Sequence, residues 1–223
     1  MATLTPTLTP TPTPTPDPPI RLIRPVEEPA AGPLAGVPAM VALPSFIVGA
    51  VAFGMVLIGV VPAGTVGAAI PIVLIAAAGM AVASIWSAVI GHSAPAGVYG
   101  IVAGFFGSYA LLVLGLINNW FGITPAAVAD TQKLFVISWI VIVTMLVLAT
   151  LRLPMAFTLL FTLVDIALVL NLLGIIQNSA NLTKAAGWVV IALSAIPVYL
   201  FFSSASHATG GNELPQGPPV LHT

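Results

Sequence analysis

Between Glu28 and Asp130 the chain carries no Asp, Glu, Lys or Arg, and His92 is the one titratable side chain there apart from tyrosine. A water-soluble domain keeps charge at roughly a quarter of its positions, so a charge-free run of this length cannot form a solvated surface. The whole chain is 5% charged and 59% hydrophobic, with a mean hydropathy of +1.13. Its solvent is lipid.

The net charge of -1 supplies no basic field for nucleic acid and no polybasic segment for an anionic leaflet. Cysteine is absent, which removes disulfides and thiolate chemistry. His92, His207 and His222 are far apart in sequence, with no ligand spacing among them, so neither a metal nor another cofactor is expected. With no nucleophile and base in any recognisable arrangement, an enzyme is not expected either.

The start of the chain alternates Thr and Pro from Thr5 to Pro16. Alternating proline fixes φ and removes amide donors, so residues 1–41 read as a disordered, proline-rich tail and not as a signal peptide. Six hydrophobic runs follow at membrane length, where about 20 residues at 1.5 Å rise cross a core of about 30 Å. They fall at about 45–61, 66–90, 98–117, 132–151, 155–176 and 183–202. Barrel strands would be about half as long and would alternate in polarity. The fold class is therefore an all-α integral membrane protein, a bundle of six transmembrane helices over 42–204 with a C-terminal tail at 205–223. Between the third and fourth spans, Thr124-Pro125 has the pattern of an N-cap followed by proline, which predicts a short interfacial helix.

Six spans put both termini on one side. That side holds Arg21, Arg24 and Arg152, against Lys133 and Lys184 opposite, a three-to-two bias toward cytoplasmic termini in an inner or plasma membrane.

Asp165 falls in the middle of the fifth span, where a carboxylate costs about 3 kcal/mol on insertion scales. Thr158, Thr162 and Asp165 are spaced i, i+4 and i+7 and so share one helix face. Asp165 reads either as a proton-binding, path-lining carboxyl or as a structural acid hydrogen-bonded across a helix interface. Asn171, nearer the end of the span, lines a path or caps a kink. Ser84 and Ser87 are expected to bond backbone carbonyls one turn back. The second and third spans are rich in small residues, and Gly100 and Gly104 form a G-x-x-x-G that suits close packing of helix backbones. Phe53, Phe105, Phe106 and Tyr109 either narrow a path or fill space between helices.

Four stretches resemble the acetate uptake transporter family, the bacterial succinate-acetate permeases and their fungal relatives linked to ammonia export. They are Gly49 to Met55, Tyr99-Gly100 through Tyr109, Gly174 to Asn178 with Ala186-Gly187-Trp188, and Leu214-Pro215-Gln216-Gly217. Where the family opens its first helix with Asn-Pro-x-Pro, this chain has Pro44-Ser45-Phe46-Ile47. The resemblance implies a six-helix, channel-like protomer in a homohexameric ring, with proton-linked uptake of acetate or succinate. It also implies an aromatic and apolar constriction on the first, third and fifth helices, which local context places at Phe53, Phe106 and Leu163 or Val164. The proton and polar pathway would be Asp165, Thr162, Thr158 and Asn171.

The function expected is a passive or proton-coupled transporter for a small monocarboxylate or its neutral acid, since a polyanion would demand Arg or Lys clamps. The rival reading is a non-transporting membrane subunit that scaffolds a larger assembly. As a constriction residue facing a void, Phe53 is expected to tolerate truncation with little loss of folded protein.

Overall fold

The structure is a computed structural model that describes residues 35–221. The first 34 residues of the expected tail, and His222, lie outside the described residues. In lipid every backbone polar group must be satisfied within the protein, and this chain does so with helices. They are α1 (Ala39–Ile58), α2 (Ala69–Val89), α3 (Ser93–Ile117), α4 (Val128–Thr150), α5 (Met155–Ile176), α6 (Ala180–Leu193) and α7 (Ala195–Ala208). Helices α6 and α7 together make the sixth apolar span.

Each helix packs against its neighbour in sequence, and α1 closes on α6 and α7, so the spans form a ring in chain order. Helices α2 and α3 pair most extensively, as their small residues suggest, whereas α3 and α4 have little backbone contact. Aromatic rings bridge that gap. Phe105 of α3 meets Trp139 of α4 edge to face at 5.3 Å and Phe135 at 6.0 Å, and Tyr109 lies 6.3 Å from Phe135.

Several local expectations are corrected. Helix α1 begins at Ala39 and contains Pro44, which the sequence places at its start. Proline is tolerated inside a span because neighbouring helices and hydroxyl groups offset the lost amide bond. The sixth span is interrupted at Ser194, where Pro197 leaves the carbonyl of Leu193 without its usual i+4 amide donor. Thr124 does occupy the N-cap with Pro125 at the start of the helix that follows, but that helix is a three-residue 3₁₀ segment, Pro125–Ala127, running on into α4, and the Thr124 side chain makes no capping bond. A second 3₁₀ segment, Trp120–Gly122, precedes it. Asn119 and Phe121 have φ of 53° and 62°, which breaks any helical continuation there. Ser84 donates across to the carbonyl of Ala96 at 2.7 Å, not back along its own helix, and the buried Ser87 hydroxyl has no partner among the described residues.

Helices α1 and α6 cross with their backbones in close approach. A Cβ built on Gly187 would lie 2.8 Å from the backbone nitrogen of Ile58 and 2.9 Å from the carbonyl oxygen of Gly54. At Gly100 and Gly104 the nearest neighbours are the side chains of Ser84 and Trp139, so that pair admits side chains and not a second backbone.

After α7 the chain returns over the end of the bundle. The Tyr199 hydroxyl donates to the Pro215 carbonyl at 2.7 Å, and the Leu214 amide donates to the buried Ser203 hydroxyl at 3.0 Å. The Ala156 amide, one of the orphan donors in the first turn of α5, donates to the Gln216 carbonyl at 3.1 Å. The Leu221 amide reaches the Leu151 carbonyl at 2.9 Å. Gly217, at φ +81°, supplies the left-handed turn this return requires.

Candidate functional site: a vestibule above a dry cavity

Two spaces lie along the ring. The larger, about 860 Å³, opens at the end of the bundle where α1, α3 and α5 finish and α4 and α6 begin. Its polar lining comes from Tyr109 of α3, Gln132 of α4, Asn171 of α5, Asn178 and Ser179 of the turn after it, and Thr183 and Lys184 of α6. Among the described residues, Lys184 is the one charged side chain lining this vestibule, and it has no ion-pair partner. Lys133, by contrast, is held by Asp130 at 2.9 Å. Helix α6 begins beside Lys184, and Ser179 makes no side-chain cap, so the amides of its first turn add positive potential to the same wall.

The smaller space is a cavity of about 50 Å³ inside the bundle, lined by side chains such as Phe46, Phe106, Val143, Phe161, Val164 and Leu193. That exceeds the roughly 10–15 Å³ one water needs, but an apolar cavity offers water no hydrogen bonds and stays dry. Phe53 of α1 and Leu168 of α5 border both spaces. Phe53 is held by Tyr109 at 4.9 Å and Phe105 at 5.7 Å, both edge to face, and is 7% exposed.

The structure therefore groups the candidate residues in three ways. Phe53, Phe106 and Val164 line the cavity, while Leu163 packs partly buried against the core and does not. Asn171 lines the vestibule. Thr158, Thr162 and Asp165 line neither space. Thr158 donates to the Thr150 carbonyl at the end of α4, and Thr162 donates back to the Thr158 carbonyl. Asp165 accepts from the exposed Thr144 of α4 at 3.1 Å, and its other carboxyl oxygen is buried without a partner among the described residues. The stripe belongs to the seam between α4 and α5.

Sequence reasoning missed Leu168 and Lys184. Leu168 is one helical turn beyond Val164 on the same face, a signal that was available once Val164 was chosen. Lys184 gave no signal beyond a single charge near the start of a span.

The comparisons with known proteins agree with this architecture. Superposition on a solved structure described as the bacterial acetate channel SatP gives a TM-score of 0.70 over 81% of this chain and 98% of that one, at 17% identity. At that identity the likeness establishes the shared fold. No curated protein matches the chain. Residues 23–214, most of the chain, match the GPR1/FUN34/yaaH family, and the protein belongs to that family.

Proposed function

We propose that the protein is a membrane channel or transporter for small monocarboxylates such as acetate, with a separate path in each protomer. The observation that carries this reading is the meeting, within one chain, of a vestibule with a partly polar wall and an apolar cavity at Phe53 and Leu168. Membership of the family and the shared fold with an acetate channel support the solute class.

The lining decides which form of the solute crosses. Moving a carboxylate from water to a low-dielectric interior costs on the order of 20 kcal/mol in the idealised limit, and several kcal/mol after relaxation. The cavity side chains offer it neither counter-charge nor hydroxyl. Lys184 and the start of α6 gather the anion in the vestibule, and the neutral acid passes Phe53. Each molecule then carries its own proton, and the pH dependence follows the acid's own titration. We further propose a homohexamer in the inner or plasma membrane with cytoplasmic termini, consistent with the side that holds Arg152.

Reconstituted protein should take up labelled acetate into liposomes faster at low than at high external pH, and should run in mild detergent as a particle several protomers in mass. Uptake no faster than empty liposomes at either pH would favour the scaffold reading. Because Asp165 lies in the α4–α5 seam, Asp165→Asn is expected to keep the wild-type pH profile in the same assay. A flattened profile in that variant would show that the carboxyl takes part in proton transfer.

A further inference from the structure

Asn171 is an unusual residue for its position. It lies in the last two turns of α5 and is only 8% exposed, and its side-chain amide makes no hydrogen bond among the described residues while lining the vestibule. Its amide is not among the buried atoms that lack a partner, so it opens onto the vestibule and is free to bond what occupies that space. Its position along the path says what it meets. At about 1.5 Å per residue, Leu168 is about 4.5 Å deeper on the same helix, followed by Val164 and Phe161, which line only the dry cavity. Asn171 is thus the last hydrogen-bonding side chain that α5 presents before the apolar passage.

We propose that Asn171 is the specificity-determining residue that selects the neutral form of a monocarboxylic acid as it leaves the vestibule. The assignment rests on the transport reading above and adds to it a chemical reason for selection. A primary amide has one carbonyl acceptor and an NH₂ donor side by side. A protonated carboxyl group has the complementary pair. The acid O–H donates to Asn171 Oδ1 while Asn171 Nδ2 donates to the acid carbonyl, closing a ring of two hydrogen bonds. A carboxylate has acceptors only, so it forms one of these bonds and sets an oxygen against Oδ1. An alcohol or an alkane of the same size cannot fill both positions. A small primary amide can, and it serves as a neutral probe that does not titrate. Two titratable side chains line the vestibule among the described residues: Tyr109 of α3 and Lys184 of α6. Lys184 is at its exposed end and concentrates the anion, and proton exchange with water there supplies the acid that Asn171 accepts.

The test uses the full chain in liposomes, with labelled acetate uptake measured at several pH values and plotted against the concentration of neutral acid. Wild-type rates should fall on one curve, and acetamide should inhibit competitively. Asn171→Leu removes both hydrogen bonds and places an apolar side chain in an apolar span, so the protein should stay folded, with an unchanged or higher Tm. Its KM for neutral acid should rise about tenfold, the loss expected for one to two hydrogen bonds, and acetamide inhibition should vanish. Asn171→Gln, which keeps the amide, should recover part of both effects. An Asn171→Leu variant with wild-type KM and wild-type acetamide inhibition overturns the assignment alone. No acetate uptake by the wild-type protein at any pH overturns the transport reading and the assignment with it.

Discussion

Replacing Phe53 by alanine is expected to join the vestibule to the cavity and to raise downhill flux of small neutral solutes at least about tenfold, equivalent to about 1.4 kcal/mol off the barrier. The ring borders both spaces, and no other α1 side chain does so. The variant should also be less stable. Phe53 makes two edge-to-face contacts and is nearly as buried as the core around it, so truncation should cost about 3 kcal/mol, the lower end for a buried aromatic because part of its surroundings is already empty. The sequence alone, which took the ring to face a void, led to an expectation of little loss of folded protein, whereas the ring contacts and burial point to a measurable one. Flux measured by liposome swelling, alongside a melting curve, separates the two effects. A lowered Tm with unchanged flux would make Phe53 a packing residue only.

The second large effect is expected at Gly187. Alanine there would place a carbon within 2.9 Å of two α1 backbone atoms, neither of which is the end of a flexible side chain. The α1–α6 crossing would have to open, at a cost of about 3 kcal/mol or more. Because α1 and α6 flank the cavity through Phe53 and Val190, the path should be disturbed along with the fold. Gly97→Ala is the matched control, since its added carbon meets open space and alanine favours a helix. The two variants should differ by several degrees or more in Tm, and equal melting would show that the crossing yields more readily than its geometry indicates.

These two sites show where a single sequence informs and where it stops. The six spans were legible because charge is missing over lengths that match a bilayer, a property each segment carries by itself. The Gly54–Gly187 crossing was not, because its partners are far apart in the chain and only tertiary structure brings them together. Gly100 and Gly104 attracted notice because their spacing is visible locally, yet they accommodate side chains. On α5, Asp165 and Asn171 are six residues apart, which turns them about 120° from one another around the helix. One could face the path while the other faced a neighbour, but hydropathy is nearly uniform around this helix and gave no way to choose. Proline was misleading in a related way. Pro44 and Pro197 carry the same local signal, yet one lies within a continuous helix and the other follows an interruption, a difference the local sequence does not carry.

The return of the chain after α7 gives the two ends of the bundle unequal compliance. Helices α5 and α7 have little direct contact, so the coupling of α7 to the α4–α5 turn passes largely through the bonds at Tyr199, Ser203, Ala156 and Leu151. The first two bonds tie α7 to the tail and the last two tie the tail to the α4–α5 turn, so the pairs act in series and a displacement of α7 is passed on through the tail. At the vestibule end no comparable cross-tie joins α3 to α4, whose contact is through aromatic rings that can tilt without breaking a hydrogen bond. Among the described residues the strapped end thus has hydrogen-bonded ties to resist displacement that the open end, between α3 and α4, does not.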